Sequence, residues 1–302
     1  MKILMTGGTG LIGSRFINEF EQHEYTVFTR SPYQAKQDLP PQTKIINDLS
    51  KLSDLNEFDA VINLAGEPII DKRWSQRQKG MICQSRWHTT DKLVKLFAQS
   101  DNPPEVFLSG SAVGIYGNHH DRFLPETQTT FSKDFASRLC QRWEKISQEA
   151  SEHTRVVNLR TGIVLDGKGG ALGKMLPIFK CNLGGKIGDG QQFMPWIHIH
   201  DMINAMSFLL SHKNCEGPFN LTSPHAVTNY QFTEELAHTL NKRAYLPMPK
   251  AILKVAMGEA SALLLDSQRV VPEKLIEAGF HFDFPEIEEA FADLLMPHPV
   301  YS

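Results

Sequence analysis

Residues 2–13 read KILMTGGTGLIG, and this stretch decides the fold. Lys2 to Met5 form a short apolar run, predicting a buried strand. Gly7, Gly10 and Gly13 recur three apart, and Gly8-Thr9-Gly10-Leu11-Ile12-Gly13 also satisfies G-x-G-x-x-G. Leu11, Ile12, Phe16, Ile17 and Phe20 then fall at helical spacing. Strand, glycine turn and helix is the context in which such glycines bind a dinucleotide. The first glycine permits a tight turn. The second lets backbone approach a pyrophosphate. The third lets the helix pack closely on the strand, with its positive N-terminus aimed at the phosphates. No Gly-Lys-Ser/Thr follows, which excludes a P-loop.

The chain of 302 residues is long enough for one or two domains with a full core. Its 41% hydrophobic and 22% charged content is that of an ordinary globular protein. A formal charge of −3 gives no general attraction to nucleic acid or to an anionic membrane. No apolar signal-peptide core opens the sequence, and no apolar run is long enough to span a bilayer. Cys83, Cys140, Cys181 and Cys215 are scattered, without a C-x-x-C pair, and read as free thiols in a reducing compartment. No His, Cys, Asp and Glu set has metal-ligand spacing. The expectation is a soluble cytoplasmic protein with no nucleic-acid or membrane partner.

Strands and helices alternate from residue 2 to about 165. Strands are predicted at Thr26 to Thr29, Thr43 to Ile46, Ala60 to Leu64, Val106 to Leu108 and Arg155 to Leu159, and helices at Trp74 to Gln99 and Ser137 to Ala150. This alternation predicts an α/β fold: a Rossmann-type doubly wound parallel sheet, with ligands at the carboxyl ends of the strands. Residues 1–165 then form the nucleotide domain, with return segments near 196–222. Residues 166–302 form a smaller, mainly helical C-terminal lobe. In that lobe Asp201 is expected to cap a helix from Met202 to Ser211. Further helices are predicted at Asn229 to Leu240, Lys250 to Leu265 and Glu273 to Ala278, and residues 118–132 read as loop. At the end of the second strand an NAD site usually carries Asp or Glu; here the residue is Arg30. A guanidinium there grips a ribose 2′-phosphate, which favours NADP over NAD, the plain alternative being a solvated surface arginine. Asp48 either approaches the adenine edge or caps the next turn.

These residues together resemble the extended short-chain dehydrogenase/reductase superfamily, which includes nucleotide-sugar epimerases. The general marks are TGGTGLIG, Asn63-Leu64-Ala65-Gly66, Ser109-x-Ser111 with Tyr116-Gly117, and Trp196-Ile197-His198-Ile199-x-Asp201. Gly66-Glu67-Pro68-Ile69, Arg73-Trp74, Ser85-Arg86, Cys140-Gln141-Arg142-Trp143-Glu144, Gly184 to Gly190, Gln268 to Pro272 and Gly279 to Phe282 are similar to an atypical subfamily of NAD(P)-dependent epimerase-family proteins. That subfamily ends in a C-terminal domain of unknown function, so the resemblance implies a small C-terminal domain at about 247–295 of this chain. The resemblance covers almost the whole chain. It implies that Gly7, Gly10, Leu11, Ile12 and Gly13 line the pyrophosphate, and that Thr29 and Arg30 bind the adenosine ribose phosphate. It places Asp48 near adenine, Leu64 and Ala65 along the ribose, and Val164 near the nicotinamide. Arg86 would reach cofactor phosphate or ribose, or hold the active-site floor. A homodimer would match many superfamily relatives.

The chemistry departs from that pattern. Most relatives use Tyr-x-x-x-Lys, in which the Lys lowers the Tyr pKa so that the phenolate accepts a proton as hydride moves. With Glu144 as the reference, those places hold Ala136 and Cys140; a shift of one gives Phe135 and Leu139. The remaining catalytic candidates are Ser111, which matches the serine bonding the reacting oxygen, and Tyr116, a phenol in the same loop. The bland readings are a strand-end hydroxyl for Ser111 and an aromatic packing element for Tyr116. Cys140 reads as a small hydrophobe and His198 as structural. Met194-Pro195 stand where nucleotide-sugar enzymes carry Arg-Asp, which argues against a nucleotide-sugar substrate. Two functions follow: an NADP(H)-dependent oxidoreductase or epimerase-like enzyme on a small substrate, or an NADPH-binding sensor or scaffold without turnover.

Overall fold

The computed structural model describes residues 1–296. Ile3, Leu4 and Met5 are all fully buried because the sheet they enter is covered on both faces. Successive side chains of the strand point to opposite faces. Ile3 and Met5 join the cluster of Phe16, Ile17, Met202, Met206 and Leu209, whereas Leu4 joins Val61, Leu93, Phe97 and Phe107. The sheet has seven strands, in the order Gly217–Leu221, Arg155–Thr161, Val106–Ala112, Ala60–Asn63, Lys2–Thr6, Glu24–Phe28, Lys44–Ile46. Every neighbouring pair is parallel. The order reverses between Lys2–Thr6 and Ala60–Asn63, and the crevice over that reversal is where a doubly wound sheet holds a ligand. One helical layer holds Leu11–Glu19 and Ile199–Ser211, and the other holds Gln76–Ala98 and Phe135–Gln148. The chain leaves this sheet after Thr161 and returns to its edge as Gly217–Leu221.

Several elements differ from the sequence reading. The strand at Val106 continues through Ala112, because Ser109, Gly110 and Ser111 pair in register with Asn158, Leu159 and Arg160. Two short helices, Pro32–Asp38 and Ile287–Leu295, were not expected. The expected helix over 250–265 is broken: Lys250–Met257 stops at Gly258, whose φ of +61° cannot continue a right-handed helix. Within 118–132, Phe123–Leu124 pairs in parallel with Arg269–Val270 and joins the C-terminal lobe to the nucleotide side.

Asp201 does not cap its helix. His198 does, its Nδ1 accepting from the His200 N–H at 3.1 Å. The Asp201 carboxylate, one turn inside, accepts the backbone N–H groups of Asp283 and Phe284 at 2.9 and 3.0 Å. It thus fastens the chain's tail to the sheet's covering helix. His198 lies against Phe284, with ring centroids 4.0 Å apart, and its Nε2 is 3.2 Å from Asp293 Oδ2. Burial pushes His198 down to about 4, against the opposing pull of Asp293. The unfolded chain therefore takes up this proton first. The neutral ring's contribution is complete above about pH 6.5 and is lost as pH falls from there toward 4. The Tm advantage of the wild type over His198→Asn is expected to shrink between pH 7 and pH 4. A constant difference across that range would contradict this assignment.

Candidate functional site

The glycine turn is held open by contacts that admit no side chain. Gly7 has φ +72°, and a Cβ there would stand 2.6 Å from the Leu64 carbonyl carbon. A Cβ on Gly13 would meet Gly7 O at 2.5 Å, so the opening helix seats directly on the turn. Gly10 begins that helix and donates its N–H to Gly7 O at 3.0 Å. No side chain caps the helix, and its first turn carries no acidic residue. Its free N–H groups and dipole are therefore available to an anion. The turn is tied to the neighbouring strand by Thr6, whose Oγ1 donates to Asn63 Oδ1 at 2.6 Å and accepts from the Ala65 N–H at 3.2 Å. Asn63 in turn donates to Thr90 Oγ1 at 2.8 Å, as does Trp143 Nε1 at 2.9 Å.

Beside the turn lies a cavity of about 550 Å³. Gly7, Gly10, Thr29, Arg30, Leu64 and Ala65 all line it, so the structure brings six of the expected cofactor residues to one space. Others sit around it. Gly13 is buried beneath the turn, and Ile12 packs against the core. Leu11 borders Gly169 and Gly170, where the Val164 carbonyl also faces, beyond the turn. Arg86 lies under the wall: its Nη1 donates to the carbonyls of Glu67 and Ile82 at 3.0 and 3.2 Å, and its Cζ stands 5.3 Å from the Trp143 ring. Burial lowers its pKa. Asp48 does not reach the cavity; Leu49 lines it instead. The Asp48 carboxylate accepts the Ser50 N–H at 2.9 Å and caps the turn Leu49–Lys51, and that bond lowers its pKa. Of the two expectations for Asp48 the structure supports the cap.

At the carboxyl end of Val106–Ala112, Ser111 Oγ donates to Glu144 Oε1 at 2.6 Å. Arg160 holds the same carboxylate with two bonds, Nε to Oε1 and Nη2 to Oε2, both 2.9 Å. Burial would lower Arg160, but Glu144 outweighs it and raises the guanidinium's pKa. Arg160 Nη1 also donates to the Tyr116 hydroxyl at 2.9 Å, and that hydroxyl donates to Asn220 Oδ1 at 2.7 Å. The expectation of proton transfer by Tyr116 is therefore corrected. Its ring is fully buried, its oxygen is held by Arg160 and Asn220 with the Pro125 carbonyl at 3.4 Å, and burial pushes its phenol up to about 12. Cys140 is buried too, pushed up to about 12 by burial and by Glu144. Sequence reasoning used Glu144 only as a marker and passed over Arg160. Glu144 lies inside the helix Phe135–Gln148 and Arg160 near the end of the strand Arg155–Thr161, and the two elements converge below Ser111.

Among the described residues, no three His, Cys, Asp or Glu side chains are grouped to hold a metal ion, and no helix is long and apolar enough to cross a membrane.

Comparison with known proteins agrees with this geometry. The family model of the NAD dependent epimerase/dehydratase family matches residues 3–222, and that of a domain of unknown function, DUF1731, matches residues 248–294. An epimerase family protein of Staphylococcus haemolyticus is 36% identical over 300 residues, covering 97% of this chain and 99% of the relative. The epimerase family protein SDR39U1 of Homo sapiens is 33% identical over 300 residues, covering 98% and 100%. The crystal structure of that human protein (isoform 2), solved with NADPH, superposes with a TM-score of 0.90 at 32% identity, covering 97% of this chain and 99% of the other.

Proposed function

The chain belongs to the NAD-dependent epimerase/dehydratase family, and from that premise we propose that it is an NADP(H)-dependent oxidoreductase or epimerase-like enzyme acting on a small substrate. The observation that carries the cofactor is the joining of the glycine turn and Arg30 on one cavity. The human relative's NADPH complex supports the same choice. The bound cofactor supplies or accepts hydride at an oxygen-bearing carbon of the substrate. The turn's N–H groups and the uncapped helix N-terminus take the pyrophosphate. Leu64 and Ala65 lie along the ribose, and Arg30 meets the 2′-phosphate. At the reacting end, Ser111 bonds the substrate oxygen. A proton leaving that oxygen passes through the Ser111 hydroxyl to Glu144, whose orientation Arg160 fixes through both oxygens. Ser111 and Glu144 would take the place of the phenol and ammonium, whose positions hold Ala136 and Cys140 or, in the register one residue earlier, Phe135 and Leu139. The missing Tyr and Lys are also the reason to keep a second reading, an NADPH-binding sensor or scaffold without turnover.

The test is calorimetric titration of nucleotide-free protein with NADPH and NADH, followed by assay against a panel of carbonyl compounds. NADPH is expected to bind well and NADH weakly. Arg30→Ala is expected to weaken NADPH by roughly 1.5–3 kcal/mol, the range of a charge-assisted bond, and NADH little. Equal losses for both would refute the 2′-phosphate role. Tight NADPH binding with no turnover across the panel would favour the second reading.

A further inference from the structure

The cofactor cavity contains a negative charge that an anion site does not call for. Arg30 and Glu67 both line it and pair with one another, Arg30 Nη2 standing 3.7 Å from Glu67 Oε2. The two side chains are unequally held. Arg30 is 78% exposed and Glu67 only 20%. Glu67's backbone is pinned from both sides: its N–H donates to Ser85 Oγ at 2.9 Å, and its carbonyl accepts from Arg86 Nη1 at 3.0 Å. The preceding Gly66 is pressed so closely on Arg86 that a Cβ would lie 2.8 Å from the guanidinium carbon. Glu67 is thus anchored by its main chain, and Arg30 is the partner free to turn away.

We propose that Glu67 is a selectivity determinant of this cofactor site, competing with the ribose 2′-phosphate for Arg30. The inference rests on the NADP(H) reading above. Without the phosphate, Glu67 holds Arg30 over the adenosine end of the cavity. A 2′-phosphate must draw Arg30 away and sit beside a carboxylate of its own sign, which lowers its affinity. A cofactor with a free 2′-hydroxyl meets an acceptor instead, because a carboxylate accepts the hydroxyl proton, and it leaves the ion pair in place. Preference for NADP(H) is then the difference between an attractive and a repulsive contact, and the repulsive one can be removed alone.

The experiment titrates the full-length wild type, Glu67→Gln, Arg30→Ala and the double variant with adenosine 2′,5′-bisphosphate and with adenosine 5′-monophosphate. Only backbone atoms of residue 67 bond Ser85 and Arg86, so Glu67→Gln leaves that anchoring intact. Glu67→Gln is expected to tighten the bisphosphate about 5–10-fold and to leave the monophosphate unchanged or about twofold weaker. In the Arg30→Ala background the gain is expected to fall to about twofold or less, since there is no guanidinium left to compete for. A wild type that binds the bisphosphate, with no tightening in Glu67→Gln, overturns this inference and leaves the proposed function standing. A gain that persists in full without Arg30 overturns the competition. A wild type that binds no bisphosphate overturns the proposed cofactor and this inference with it.

Discussion

Arg160→Leu is expected to cost roughly 3–5 kcal/mol of stability, the loss typical when one member of a buried ion pair is removed. Arg160 is buried at the centre of its network. It donates twice to Glu144, once to the Tyr116 hydroxyl, and lies 3.5 Å from the Glu126 carbonyl. Leucine fills part of the volume but leaves Glu144 with only the Ser111 hydroxyl as a bonded partner. It also removes the donor to Tyr116. Urea unfolding monitored by tryptophan fluorescence reads the effect as a lower midpoint at similar slope. Replacing Glu144 by leucine as well is expected to recover much of the loss, because the penalty lies mainly in the orphaned charge. A single variant with the wild-type midpoint would mean that leaving Glu144 without Arg160 costs the fold nothing.

Gly7→Ala is expected to weaken NADPH binding by about 100-fold or more and to lower stability by about 3 kcal/mol. An L-residue at this positive φ costs roughly 1–2 kcal/mol, and forced overpacking typically adds about 1–3 kcal/mol. The new methyl would lie 2.6, 2.7 and 2.9 Å from the Leu64 carbon, the Leu64 oxygen and the Ala65 nitrogen. These are main-chain atoms of the cavity wall, so relief requires moving the surface on which the ribose is proposed to lie. Gly10→Ala is the control for stability alone, because Gly10 also lines the cavity. Gly10 has an ordinary φ of −79°, and its Cβ would come no nearer than 3.2 Å to Gly7 O. Melting temperature and calorimetric Kd on both variants separate the effects. Similar small losses for the two would show that the turn can relax around a side chain at position 7.

What the sequence made legible was what is local. The buried strands stand out because parallel strands covered on both faces are apolar without alternation. The glycine turn is legible because its strand, its turn and its helix are contiguous. Val106–Ala112 read short because Ser109, Gly110 and Ser111 look like loop. Their smallness answers to a distant residue: a Cβ on Gly110 would stand 2.8 Å from the Trp143 ring. Asp48 illustrates the opposite case, since its cap to Ser50 is a local bond that competed with a long-range expectation and won. The cluster around Ser111 was illegible as a cluster. Glu144, Arg160, Tyr116 and Asn220 come from four separate elements or turns, and only the strand order makes them neighbours. Pro177 and Gly258 show that a local breaker acts only in context: the first is absorbed inside Gly170–Lys180, the second ends Lys250–Met257.

The strand Gly217–Leu221 has a consequence for the order in which the molecule can become complete. During synthesis the outer edge of Arg155–Thr161 emerges well before its ladder partner, because the first part of the C-terminal lobe lies between them in the chain. Until that partner is made, the nascent sheet carries an open edge of unpaired N–H and C=O groups. Asn220 arrives with the strand. It accepts from Tyr116 and donates to the carbonyls of Leu124 and Val271, while its own N–H reaches Glu126. One late residue thus seals an edge and locks segments made long before and shortly after it. The polar cluster beneath Ser111 is therefore complete only once Asn220 has joined Ser111, Glu144, Arg160 and Tyr116.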